Sequence, residues 1–183
     1  MADGGLHPCR HLNHLYHPCI GIDVTVVGPS ISRHFPFSAG FCLGVGLGGY
    51  LDGVVFHQLL QWHHLFSSWY PIISVENLQF NTFWDGVFHS AAYLFIIAGI
   101  FILWRAARLI HFKWSTRCLA ASMLTGFGVF NLIEGLVDHQ LLGIHHVNET
   151  VNRSQWLYWD LAFLASGLAM LVIGLLLWRR AHA

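Results

Sequence analysis

Charge is what this chain has least of. Asp, Glu, Lys and Arg make up 10% of its 183 residues, where an ordinary soluble domain carries roughly 25%. The formal net charge is zero and no basic or acidic run follows residue 35, so nothing points to nucleic acid or an acidic partner. Cysteine is scarce too: Cys9, Cys19, Cys42 and Cys118 are too few and too scattered for a disulfide framework. The G-x-S-x-G elbow of serine hydrolases and the H-E-x-x-H of zinc proteases do not occur, which removes those two hydrolytic signatures.

What fills the sequence instead is apolar. Hydrophobic residues make up 55% of it and the mean hydropathy is +0.55. Four segments, at about 38–62, 84–104, 118–142 and 157–178, are long enough to cross a bilayer, because about 20 residues at ~1.5 Å rise cover the ~30 Å hydrocarbon core. The expectation is an all-α integral membrane protein: a His/Cys-containing tail over residues 1–36, then a four-helix transmembrane domain over 37–180. The first segment begins too late for a signal peptide and lacks a small-residue cleavage site. Eight of nine cations fall on one side: Arg10 and Arg33 before the first segment, Arg105, Arg108, Lys113 and Arg117 between the second and third, Arg179 and Arg180 after the fourth. By the positive-inside rule both termini are cytoplasmic, and Trp62, Trp69, Trp84, Trp104, Trp114, Trp156 and Trp178 fit the interfacial belts of that topology.

The chain also repeats itself. Residues 52–64 read DGVVFHQLLQWHH, and residues 134–146, 82 positions later, read EGLVDHQLLGIHH, identical at eight of thirteen positions. The second segment opens with Trp84-Asp85 and the fourth with Trp159-Asp160. Each copy is thus a helical hairpin, and two tandem hairpins separated by an even number of crossings share one orientation, which predicts pseudo-twofold symmetry along the membrane normal. Gly40, Gly44 and Gly48, with Gly126, Gly128, Gly167 and Gly174, suit close helix packing.

The acidic residues are the anomaly. Of nine, five (Asp52, Asp85, Glu134, Asp138 and Asp160) lie within the expected spans, and a charge near the bilayer centre costs at least ~2.5–3.5 kcal/mol. No Lys or Arg lies in a helix interior to pair with them. The remaining partners are histidines, a bound cation, or protons. Depth arithmetic puts His63, His64, His145 and His146 at the outer surface, with His57 and His139 roughly 9–10 Å deeper. On the same count His57, His89, His139 and Asp138 share one level, and Asp52 and Glu134 lie one to two turns nearer the midplane. The i, i+4 pairs Asp85/His89 and Glu134/Asp138 share helix faces. Carboxylates and imidazoles projected inward from several helices are how di-metal carboxylate sites are built.

The leading expectation is therefore a metal site in the outer half, with His57, His89, His139, Asp138, Glu134 and Asp52 as ligands. Asp85, Asp160, His64 and His146, with Gln58 and Gln140, would orient ligating imidazoles. Imidazole with carboxylate suits zinc or iron, and copper(II) also, but not soft copper(I). If the protein is an enzyme, a metal-dependent hydrolase or oxidase, Glu134 or Asp138 is the general base. The alternatives are proton or metal-ion handling without catalysis, and a haem protein with His57 and His139 as axial ligands. Expected partners are the lipid bilayer and a small molecule or metal ion. Separately, HPCRHLNHLYHPC (7–19) has the composition of a short metal-binding tract.

The stretches GVGLGGYLDGVVFHQLLQWHH, DGVFH and GFGVFNLIEGLVDHQLLGIHH resemble a family of bacterial four-helix membrane proteins catalogued as domain of unknown function 2243. The resemblance covers about residues 37 to 178 and leaves out residues 1–36. It implies the fold, a place in the bacterial inner membrane and a prokaryotic origin, and brings no catalytic residue with it.

Overall fold

The computed structural model describes residues 35–109 and 112–182; the His/Cys tract at 7–19 lies outside them. Among the described residues the chain is all-helical. Helix α1 (Phe37–Asp52) runs into a π-helical segment over Gly53–Leu59, α2 spans Val75–Ala107, α3 (Thr116–Glu134) runs into a second π-helical segment over Gly135–Leu141, and α4 spans Arg153–His182. All four are long and apolar enough to cross a membrane. Ser74 and Ser115 start α2 and α3 by accepting from the backbone N–H of Asn77 and Cys118, the usual cap for otherwise unpaired first-turn donors.

The helix limits differ from expectation in an informative way. α2 starts at Val75, well ahead of Trp84, and α4 starts at Arg153, so Asp85 and Asp160 lie beyond the first turn rather than inside it. The first and third helices stop being α-helical at Asp52 and Glu134, in the middle of the repeated sequence. There the bonds widen: Leu60 N–H donates to Val55 O and Leu142 N–H to Val137 O, both at 2.8 Å. Wide π turns are found at functional sites more than elsewhere. Gln61 (φ 50°) and Gly143 (φ 57°) then adopt the left-handed conformation at equivalent places in the two copies and turn the chain back.

The backbones pack in the order α2, α1, α3, α4, with α1 and α3 central and each outer helix against one inner helix. The inner pair is close. A Cβ on Gly44 would lie 2.0 Å from Met123 O, and one on Gly126 would lie 2.1 Å from Phe41 O, so a side chain at either place would part the helices. These contacts are reciprocal, since Gly126 and Met123 are the counterparts of Gly44 and Phe41 82 positions on. The hairpins repeat each other as well: Gly46 meets Ala92 O on α2, and Gly128 meets Gly167 O on α4. Large apolar side chains such as Phe95, Ile100, Leu168 and Leu176 are exposed on the outer helices, where lipid covers them.

Candidate metal centre

Because the chain turns back after each π segment, the two His-His pairs do not sit at the surface as expected. His63 and His145 are buried, at 2% and 0% exposure, between the ends of α1 and α3. In the non-helical backbone neighbouring side chains point opposite ways, so His63 enters the core while His64 faces α2, and His145 and His146 repeat this. The rings of His63 and His145 stack, with centroids 4.5 Å apart and planes 6° from parallel.

His57, His63, His64, His145 and His146 each have Nδ1 occupied. His63 Nδ1–H donates to Val147 O (2.9 Å) and His145 Nδ1–H to Leu65 O (3.0 Å), so each half of the molecule orients the other's histidine. His57 Nδ1–H donates to Asp85 Oδ1 (2.9 Å). Asp85 also accepts from His64 Nδ1–H at 2.5 Å and from Leu65 N–H at 2.9 Å. Asp160 does the same work opposite, accepting from His146 Nδ1–H (2.7 Å), Val147 N–H (3.0 Å) and Gln140 Nε2 (3.1 Å), with His139 Nδ1 at 3.5 Å. A carboxylate behind an imidazole fixes its tautomer and leaves a lone pair on Nε2. Burial, then the imidazoles of His63, His139 and His57, hold the pKa of His145 well below the usual histidine range, so that ring is neutral at pH 7.

The atoms on the other side make no hydrogen bond. Asp52 Oδ2, His57 Nε2, His63 Nε2, His89 Nε2, Glu134 Oε2, both ring nitrogens of His139 and His145 Nε2 are all buried without a hydrogen-bond partner. Such atoms normally cost ~1–3 kcal/mol each, and more when charged. Two imidazoles face Asp52, His57 Nε2 at 3.2 Å and His63 Nε2 at 3.9 Å from its Oδ2, and His145 Nε2 lies 3.6 Å from Glu134 Oε1, the other oxygen of that carboxylate. A tetrahedral ion with bonds of about 2.0–2.1 Å sets its ligand atoms roughly 3.3–3.4 Å apart, which these distances bracket. Two groups of three buried side chains meet the spacing for a metal ion, Asp52/His57/His63 and His63/Glu134/His145.

Of the residues singled out from sequence, Asp52, His57 and Glu134 thus stand in these groups. His139 stands beside them, its ring centroid 4.8 Å from that of His145. His89 reaches in from α2 over Gly53, where a Cβ would lie 1.8 Å from its Nε2. Asp138 is half-buried and belongs to neither group. Gln58 and Gln140 are both exposed, and Gln140 reaches Asp160. The residues that sequence reasoning missed are His63 and His145. The available signal was the doubled histidine itself, since an adjacent pair can serve two faces at once only where the helix has ended.

Above the centre the loops at 60–74 and 142–152 form a lid with shallow clefts. One, of about 210 Å³, is lined by Trp62, His63, His64, Ser67 and Glu149 among others. Its neighbour, of about 530 Å³, includes Ser67, Gly143, His146, Glu149 and Arg153. No curated protein and no solved structure matches the chain. Residues 39–181 match the family described as predicted membrane protein (DUF2243), and the chain belongs to that family.

Proposed function

We propose that this protein holds a catalytic metal centre, zinc or iron with copper(II) as the further choice, between the outer ends of its central helices. One observation carries the proposal. Imidazoles whose Nδ1 atoms are donated away turn bare, buried Nε2 atoms toward bare, buried carboxylate oxygens. A lone pair facing a lone pair is unfavourable unless a metal ion or a proton lies between them. Two tandem hairpins facing each other across a pseudo-twofold axis along the membrane normal account for the reciprocal hydrogen bonds. The cation distribution supports a centre toward the outer side of a bacterial inner membrane with both termini cytoplasmic.

The reaction class that fits is hydrolysis or oxidation of a small molecule entering through the lid clefts, one of which reaches His63. Asp52 and Glu134 serve as ligands in this reading. That leaves half-buried Asp138 as the general base. The stacked His63 and His145 rings lie beside His57 and His139, at centroid distances of 4.6 and 4.8 Å, and fill the space a porphyrin between His57 and His139 would need. A second reading, proton handling without catalysis, is supported by the connected chain His64–Asp85–His57–Asp52, which leads inward from a cleft.

The test is elemental analysis and a visible spectrum of purified, tag-free protein in detergent, before and after metal reconstitution. Bound zinc, iron or copper without a Soret band, lost in His57→Ala, supports the centre. Reconstituted protein that holds no metal overturns it and leaves the proton chain. A Soret band returns the haem reading.

A further inference from the structure

Resting on that reading, we infer that the centre is built for two metal ions in inequivalent positions, one at Asp52/His57/His63 with His89 in reserve, the other at Glu134/His139/His145.

The donor count comes first. The two groups that meet the spacing for an ion share His63, but one imidazole Nε2 has one lone pair and binds one ion. His63 pairs with Asp52 and His57 from its own copy. His139 is in neither group, but its ring stands to His145 (centroids 4.8 Å, planes 73° apart) as His57 stands to His63 (4.6 Å, 72°), so it is the residue assigned to take the place of His63 beside Glu134 and His145 once an ion is bound. Its two ring nitrogens are both buried and without a hydrogen bond. A single six-coordinate ion is a poor alternative. With bonds of about 2.1 Å even its opposite ligands are only about 4.2 Å apart, so all six donors would fall inside one group. The donors that meet the spacing fall instead into two overlapping threes, Asp52/His57/His63 and His63/Glu134/His145. An ion held by three protein ligands keeps an open position, as catalytic zinc sites do.

The inequivalence comes from α2 and α4. His89 on α2 brings a buried, unpaired Nε2 over Gly53. At the corresponding place on α4, over Gly135, stands Leu164, whose Cδ2 would lie 2.7 Å from an added Cβ. The acids differ too, the shorter Asp52 against the longer Glu134. One position is therefore offered a fourth nitrogen and the other an apolar wall, so the second ion keeps its open site for substrate.

The test is a metal titration of the apo full-length chain with cobalt(II), read by visible d–d absorption and by equilibrium dialysis with elemental analysis. Wild type takes about two equivalents with two distinguishable spectra. Asp52→Asn and Glu134→Gln, which keep side-chain volume, each retain about one, and His89→Leu keeps two but weakens the Asp52 position about tenfold. One equivalent in wild type, abolished by either acid variant, overturns the two-ion inference and leaves a single metal centre standing. Zero in wild type overturns the centre itself. Two equivalents unmoved by His89→Leu overturn the assignment of His89.

Discussion

The two copies of the repeat are the same at some positions and different at others, and the division is not random. Gly44 and Gly126, His57 and His139, His63 and His145, Asp85 and Asp160, and the left-handed residues 61 and 143 are placed alike and mostly bonded alike. They set how closely the inner helices approach, where they unwind and how the imidazoles are aimed. The differences cluster around the bare donor atoms. His89 faces Leu164 across the repeat, Phe56 faces Asp138, Asp52 faces Glu134, and the 2.9 Å His57–Asp85 bond becomes a 3.5 Å approach between His139 and Asp160. A purely structural polar core gains nothing from this split. On the proposed reading, a frame kept equal while the donor atoms around it differ suits two distinct jobs at one centre.

The most severe way to break the frame is to separate the inner helices. Gly44→Leu and Gly126→Leu should each cost about 3 kcal/mol or more, since neither partner is a movable side chain. Because the contacts are reciprocal, both should lose monodisperse protein in detergent to a similar extent. Gly86→Ala, with nothing within 4 Å of its new Cβ, is the control and should leave the thermal midpoint unchanged or slightly raised. A large gap between the Gly44 and Gly126 variants would show that the halves are not equally loaded.

Next comes the carboxylate behind the histidines. Asp85→Asn disturbs a bond to a ligand imidazole, whereas Asp160 is engaged chiefly with His146, Val147 and Gln140. Metal affinity, by competition with a chelator, should fall roughly 10–100-fold in Asp85→Asn and by less in Asp160→Asn. Equal losses would mean that His139 closes on Asp160 once metal is bound. Gly53→Ala and Gly135→Ala ask the same question of the outer helices. The first displaces His89 and should alter the cobalt(II) spectrum; the second displaces Leu164 and presses on Phe163, neither of which is a donor, and should lower stability by about 1–2 kcal/mol while leaving the spectrum alone.

Much of this was legible in the sequence because apolar length and repeated motifs report on the bilayer and the duplication directly. The four spans and the repeated hairpin motif follow from counting at helical pitch, and so does the choice of Asp52, His57 and Glu134 as candidates. That count nevertheless set Asp52 and Glu134 one to two turns below His57, whereas His57 Nε2 lies 3.2 Å from Asp52 Oδ2. The same counting failed for His63 and His145, because it carried the α-helix through the repeat to residues 62 and 142. The π turns at Gly53–Leu59 and Gly135–Leu141 have no composition signal of their own: Val54, Val55, Leu136 and Val137 read as ordinary helix. Once the helix is widened there and the chain reversed at 61 and 143, two histidines assigned to the surface return to the core. Nor could pitch show that His63 would be held by Val147 and His145 by Leu65, since that exchange depends on how the two lids cross.

The lids give the finest comparison. Ser67 accepts from His64 N–H at 3.0 Å, and Glu149, its counterpart, accepts from His146 N–H at 3.2 Å and from the Ser68 hydroxyl. The loops also interlock through backbone, Glu149 N–H to Trp62 O and Ser68 N–H to Ile144 O, both 3.0 Å. Those two bonds survive any side-chain change, so Ser67→Ala and Glu149→Gln should each cost only about 0.5–1.5 kcal/mol, read as a small drop in thermal midpoint with metal content unchanged. The pair nevertheless separates two roles for Glu149. If it only caps His146, the two variants match. If its charge also governs what enters the cleft it shares with His63, His64 and Ser67, Glu149→Gln should change the rate at which an external chelator strips the metal and Ser67→Ala should not, placing the entrance on the more acidic half of the lid.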